Sequence, residues 1–325
     1  MSKAFVASKP GGPEALVLTD IETPPPGPGE VRVRHTVIGV NFIDVYFRSG
    51  LYAWPEQTMI PGAEAAGIVE TVGAGVTGFA PGDRVAYVMR HGSYRTERNV
   101  SAQQLVHIPK DLSDAVAASV MLKGLTAQYL VTSSYAVKPG DKVLVHAAAG
   151  GVGLLIGQWL NALGAIAIGT AGSAEKAALA LEHGYSDVIN YREQDFVTEV
   201  MALTQGKGCA VVYDSVGNDT WRGSLQCLQR FGMFVNFGQS SGPIQGFALS
   251  DLAKGSLSAN RPMLFDYIHE REDLERRSAE LFQRLLSDEV RVDHITQRPF
   301  SEVANVHREL ETRKTTGSIV LMLES

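Results

Sequence analysis

Hydrophobic and polar positions change their rhythm twice along the chain. Over the first hundred residues the period is two. Val31-Arg32-Val33-Arg34-His35-Thr36-Val37 alternates as a half-buried strand does, and Ile68-Val69-Glu70-Thr71-Val72 runs into a Gly73-Ala74-Gly75 turn. Arg84-Val85-Ala86-Tyr87-Val88 follows the turn signal Pro81-Gly82-Asp83. Punctuation by Pro and Gly, as in residues 24–29, predicts an antiparallel barrel or sandwich here. Near residue 113, where Ser113 can cap a helix, the grammar becomes strand and helix in alternation. Residues 142–146, 165–170, 187–190, 210–214 and 233–238 read as strands; residues 152–163, 175–183 and 196–204 read as helices. That order predicts a parallel sheet covered by helices on both faces. The tail changes again, with amphipathic helices over 271–286 and 300–314. A last strand, Ser318-Ile319-Val320-Leu321-Met322, has no βαβ context and is expected to rejoin the N-terminal β-rich part.

The first strand-to-helix turn of the middle section carries chemistry. Ala147-Ala148-Ala149-Gly150-Gly151-Val152-Gly153 reads A-x-G-x-x-G, with Ala148 in the first glycine position. A missing side chain at Gly150 lets backbone approach a pyrophosphate, and a small residue at Gly153 lets helix and strand pack closely. The helix N-terminus then presents N–H groups and a positive dipole end to phosphate. A lone glycine pattern is weak, but strand–turn–helix context makes it specific. The next strand ends Gly169-Thr170-Ala171-Gly172-Ser173 without the acid that would bond the ribose hydroxyls of NAD. Ser173 and Lys176 follow, with Tyr191-Arg192 after the third strand. A hydroxyl and a cation suit a 2′-phosphate, so NADPH is the expected cofactor. Glu175 is expected to point elsewhere.

Composition removes other classes. A net charge of −6 and the lack of a long basic run disfavour nucleic acid. Two cysteines, Cys209 and Cys227, make neither a disulfide framework nor a four-cysteine zinc lobe. The start, MSKAFVASKPGG, has no apolar signal region, and the longest apolar stretches fall short of the ~20 residues that span a bilayer. The expectation is a cytoplasmic protein with no membrane partner.

Several segments in order resemble the medium-chain dehydrogenase/reductase superfamily, and within it the zeta-crystallin-like NADPH:quinone oxidoreductases. They are Gly39-Val40-Asn41-Phe42-Ile43-Asp44, Arg48-Ser49-Gly50-Leu51-Tyr52, Pro61-Gly62-Ala63-Glu64-Ala65-Ala66-Gly67, Lys123-Gly124-Leu125-Thr126-Ala127, His146 through Gly153, Val212-Tyr213-Asp214-Ser215-Val216-Gly217, and Phe237-Gly238. The resemblance covers the whole chain. It implies an α/β protein with a GroES-like β-rich catalytic domain (1–122 and 266–325) and a Rossmann-type doubly wound parallel-sheet domain (123–265). Zinc enzymes of this superfamily draw metal ligands from three segments, where this chain has Asn41, Ala63-Glu64 and Lys123. Asn and Lys do not suit zinc, and Lys123 would bring a positive charge to the metal, so no metal is expected.

The resemblance further implies a cofactor site of Asn41, Thr126, Ala149, Gly150, Gly151, Val152, Gly172, Ser173, Lys176, Tyr191, Phe237, Gly238, Ser240, Phe265 and Arg313. Asn41, Asp44, Tyr46 and Tyr52 would form the catalytic, substrate-side group. The expected reaction is direct hydride transfer from NADPH to a quinone, with one-electron transfer left open. Tyr46 or Tyr52 would donate a hydrogen bond to the substrate oxygen, and no residue stands out as a dedicated acid. An NADPH-dependent enone or alkenal double-bond reductase is the alternative, and a nucleic-acid-binding crystallin-like protein is the other. By analogy the chain is expected to form a homodimer through a sheet edge at Met233 to Phe237.

Overall fold

The computed structural model describes residues 2–312 and 315–323. Arg313, expected in the cofactor site, lies outside them. The chain forms two compact units. One contains Met1–Lys123, Ile268–Leu286 and Val292–Ser325; the other contains Gly124–Tyr267 and Ser287–Arg291.

The second unit is the parallel sheet. Its strands run, in spatial order, Asp187–Asn190, Ile166–Ala171, Lys142–Val145, Cys209–Asp214, Leu228–Asn236 and Ser258–Asn260, and every pairing is parallel. In chain order this is 3-2-1-4-5-6, so the direction of winding reverses beside Lys142–Val145, and such sheets bind ligands outside the carboxyl ends of the strands at that point. Both faces of the central strands are covered: Val143, Leu144, Val145, Val211 and Val212 are fully buried. That explains why they read as continuous apolar runs without alternation. The helices Gly151–Ala162, Ala174–Glu182 and Phe196–Leu203 connect the strands. The return segment joins this unit through Gln158, whose Nε2 donates to Arg291 O (3.0 Å) and whose Oε1 accepts from Arg291 N (2.8 Å).

Two expectations fail here. Met233 to Phe237 is not the sheet edge, because Ser258–Asn260 pairs outside it; three residues, Ser-Ala-Asn, carry no apolar period to reveal a strand. One helical stretch among the described residues, Asp114–Ser134, is long and apolar enough to cross a membrane, since a π turn extends helix Asp114–Tyr129 by five residues. Its most apolar window is 78% buried inside the protein, as a core helix is.

The first unit is β-rich. Among the described residues a seven-stranded sheet runs Ile295–Pro299, Ser318–Met322, Glu30–Val40, Glu64–Val72, Arg84–Val88 and Leu105–His107, with Glu97–Ser101 also on Glu30–Val40. Ser318–Met322 does rejoin it, antiparallel to Glu30–Val40 in the register Ile319 with Val40 through Met322 with Val37. Alternate residues Val31, Val33, Val69, Val85 and Val100 point into one core with Phe5, Tyr87, Val306 and Leu321. Glu30–Val40 leads into helix Phe42–Arg48, whose start is fixed by Asn41 in an extended conformation.

Candidate active site

In the parallel-sheet unit the expected cofactor residues gather beyond the strands' carboxyl ends. The Lys142–Val145 strand turns through Ala147, which takes φ +56°, into a helix starting at Gly151. A Cβ on Gly153 would run into the Ala147 carbonyl and lie 2.6 Å from the Ala148 carbonyl oxygen. The third motif glycine therefore lets the helix sit on the turn. Ala148 in the first motif position is fully buried, and its methyl group has room because Gly169 opposite has none: a Cβ there would be 2.7 Å away. Ala149 is buried; Gly150, Gly151 and Val152 are partly exposed at the helix N-terminus, where first-turn N–H groups lack intrahelical acceptors. This is a cradle for a pyrophosphate.

The next loop carries the discriminating residues. A Cβ on Gly172 would meet the Tyr191 hydroxyl at 2.7 Å, so the two lie together. Ser173 caps helix Ala174–Glu182 by accepting from Lys176 N (3.3 Å). Its hydroxyl also engages the exposed Glu175 carboxylate, whose acidity it increases, so Glu175 does not turn away from Ser173 as expected. Lys176 is half-buried. Burial, and then the like charge of Arg192, holds its ammonium below the usual lysine range. Two cations that repel each other beside Ser173 suit a dianionic phosphate, which would relieve that repulsion.

Phe237 and Gly238 follow the Leu228–Asn236 strand against Ser215, and Ser240 N donates to Ser215 O (3.2 Å). Asp214 anchors this end: its Oδ1 accepts from Val216 N (2.7 Å) and Gly217 N (2.9 Å). Thr126 is buried on the Asp114–Tyr129 helix, and Phe265 lies on helix Leu264–Tyr267. Beneath these loops His146, Ser224 and Asp214 look like a hydrolytic triad in composition only. Ser224 Oγ donates to Asp214 Oδ2 (3.0 Å) and takes the His146 Nε2–H (2.9 Å), but Ser224 is fully buried and no substrate reaches it.

In the β-rich unit the three positions that hold zinc in related dehydrogenases are closed on one another. Asn41 Nδ2 donates to Glu64 Oε1 (2.8 Å), Lys123 Nζ donates to the same oxygen (3.0 Å), and Leu122 N donates to Oε2 (2.5 Å). Lys123 Nζ also donates to Val40 O (3.2 Å). Glu64 is fully buried and Asn41 and Lys123 nearly so. A buried carboxylate with an ammonium and two N–H donors is already satisfied. Asn, Ala and Lys offer no zinc donor set, so these residues do not fit the metal.

Of the four expected substrate-side residues, Asn41 has its amide on Glu64 and Asp44 is fully buried. Asp44 Oδ2 accepts from Asn41 N (2.8 Å) and from Tyr94 OH (2.9 Å), while Oδ1 is buried without a partner. Burial, opposed by those two donors, pushes its carboxyl up to about 7. The expectation that no acidic group stands out is corrected on this point: Asp44 does, through burial that sequence did not reveal. Behind it Tyr94 meets His307 Nε2 (2.9 Å), and His307 Nδ1 meets Arg48 Nη1 (3.3 Å). Arginine can only donate, so His307 accepts at Nδ1 and carries its proton on Nε2. Arg48 in turn grips Glu311 with two bonds (3.0 and 2.6 Å). Tyr46 and Tyr52 are partly exposed and pack edge to face at 5.3 Å, with Phe47 against Tyr52 at 5.5 Å.

A doubly wound nucleotide unit joined in sequence to a GroES-like β unit defines a medium-chain dehydrogenase/reductase. Comparison with known proteins agrees. Residues 27–139 match the alcohol dehydrogenase GroES-like domain and residues 151–282 the zinc-binding dehydrogenase family. The chain is 46% identical to the quinone oxidoreductase of Pseudomonas aeruginosa, covering 99% of this chain and 100% of that protein. It is 43% identical to a 2-haloacrylate reductase of Burkholderia sp., covering 99% of each. The crystal structure of Escherichia coli quinone oxidoreductase complexed with NADPH superposes with a TM-score of 0.95 at 44% identity, covering 99% of this chain and 100% of that one. The chain belongs to the zinc-free quinone oxidoreductase family.

Proposed function

We propose that this protein reduces quinones with NADPH and without a metal. The observation that carries the reading is the Asn41–Glu64–Lys123 cluster, which fills the zinc positions with a neutralised internal ion pair. When bound, NADPH supplies the hydride, and a quinone accepts it without a Lewis acid because charge delocalises onto its oxygens. The chain's own residues bind and orient. The helix N-terminus at Gly150 to Gly153 would hold the pyrophosphate, and Ser173, Lys176 and Arg192 the 2′-phosphate beside Gly172 and Tyr191. Asn41, Thr126, Ala149, Phe237, Gly238, Ser240 and Phe265 would frame the rest. Tyr46 and Tyr52 would donate hydrogen bonds to the acceptor oxygen, and the balancing proton would come from water or a tyrosine hydroxyl.

The test is NADPH and NADH oxidation against a panel of quinones and enals. A preference for NADPH and for quinones in kcat/KM supports the reading. Higher kcat/KM for an enal would favour the second reading, a double-bond reductase, which the 43% identity to a 2-haloacrylate reductase supports. We expect a cytoplasmic homodimer, paired through the Ser258–Asn260 edge, with no membrane or nucleic-acid partner.

A further inference from the structure

Nine consecutive residues of the β-rich unit, Arg90 to Arg98, hold four basic side chains: Arg90, His91, Arg95 and Arg98. The one acid among them, Glu97, is turned onto Ser2 (2.5 Å) and Arg32 (3.5 Å). Arg98 lies over the Tyr87 ring at 5.7 Å and donates to His91 O (2.9 Å). Arg95 is half-buried, yet among the described residues its guanidinium has no hydrogen-bond acceptor and no ion-pair partner, and its Nε is buried without one. Five N–H donors stripped of part of their water and given nothing in return are costly. Burial and then the charge of Arg98 hold Arg95 below its usual range. Burial, then Arg98, and then Arg95 and Arg90 do the same to His91. Glu56 is the carboxylate that offsets this at both groups, and it is exposed and forms no ion pair with them among the described residues. Tyr87 also faces Arg95. The patch has an unmatched positive field.

The patch adjoins the aromatic side chains assigned to the acceptor. The His91 ring packs edge-on against Phe47 at 5.5 Å, Phe47 against Tyr52 at 5.5 Å, and Tyr52 against Tyr46 at 5.3 Å. A guanidinium fork matches a carboxylate, and flat rings match a planar acceptor. We infer that Arg95 and Arg98, with His91 beside them, form an anion-binding site for the carboxylate of an acidic planar acceptor whose ring rests on Tyr46 and Tyr52. The inference rests on the quinone-reductase reading and names the acceptor class within it.

The test uses the full-length protein with NADPH and two naphthoquinones that differ only in a carboxylate-bearing side chain. The wild type should prefer the acid in kcat/KM. Arg95→Gln should raise KM for the acid about tenfold or more, the loss of one charge-assisted contact, and leave the neutral quinone within about twofold. Arg95→Lys should restore part of the loss. Equal effects on both quinones, or no preference in the wild type, overturn the inference. Benzoate, which is not reduced, gives a readout without turnover. It should raise the wild-type Tm and leave that of Arg95→Gln unchanged; stabilisation by inorganic phosphate but not by benzoate overturns the carboxylate assignment. If neither quinone is oxidised by NADPH, the quinone-reductase reading fails, and the benzoate arm still decides the site.

Discussion

Replacing Lys123 by methionine keeps most of the side-chain stem and removes the ammonium. In the structure that ammonium sits 3.0 Å from Glu64 Oε1, in a place where Glu64 is fully buried. At that distance and an effective dielectric of about 20, the attraction is about 5–6 kcal/mol before desolvation is counted. The net worth of the pair is far smaller. What Lys123→Met exposes is the cost of an unpaired buried carboxylate, about 3–5 kcal/mol. Asn41 Nδ2 and Leu122 N remain as donors and keep the loss toward the lower end. Glu64→Gln should lose a similar amount by stranding the lysine. The double variant carries no buried charge at the site, so it should be more stable than either single variant. Urea denaturation followed by tryptophan fluorescence measures all four corners of this cycle. If Lys123→Met costs under about 1 kcal/mol, or if the two losses add, the pair is not a closed internal replacement for the metal and the reasoning fails.

Other consequences can be checked separately. Lys176→Ala should weaken NADPH about tenfold or more and NADH little, because it removes a charge-assisted phosphate contact; equal losses in a binding titration would contradict the 2′-phosphate assignment. Gly153→Ala should destabilise by about 1–3 kcal/mol and lower cofactor affinity, since its methyl meets the Ala147 and Ala148 carbonyls. Asp44 is pushed up to about 7 in the folded state. The native form thus holds a proton that the unfolded form has released between about pH 4 and 7, so this group's contribution to stability falls as pH rises through that window, and Asp44→Asn should flatten that slope. His35 and His307 act in the opposite sense. Burial pushes both down to about 3, so the unfolded chain takes up their protons first and stability falls as pH drops below about 6.5. Stability curves against pH for the wild type and for Asp44→Asn test both signs.

The nucleotide unit was legible because its signals are local. Each strand from Lys142 to Asn236 is a short apolar run bounded by glycine or a cap, and Ser173 caps its helix from the position that the sequence suggests. The β-rich unit was less legible. Strand Val17–Ile21 is mostly exposed and has no buried face to give it a period. Helix Phe42–Arg48 is seven residues long, too short to build a 3.6-residue pattern, and its start is set by Asp44 accepting from Asn41 N. Site residues divided in the same way. Asn41 and Lys123 could be seen as poor zinc ligands, but their meeting on Glu64 depends on strand Glu64–Val72 lying beside Glu30–Val40. The Asp44–Tyr94–His307–Arg48 chain joins residues more than 250 positions apart and left no mark in the sequence. The Arg90 to Arg98 cluster did leave one, a density of basic residues around Tyr94, but the net charge of −6 drew attention away from it.

The most direct test of the central claim is steady-state NADPH oxidation by the purified protein with 1,4-benzoquinone and 1,4-naphthoquinone, run beside a metal analysis of the same sample. The account predicts quinone-dependent oxidation that favours NADPH over NADH, survives chelation, and comes from protein without stoichiometric zinc. Turnover that requires zinc, or that prefers alcohols or enals to quinones, would contradict it.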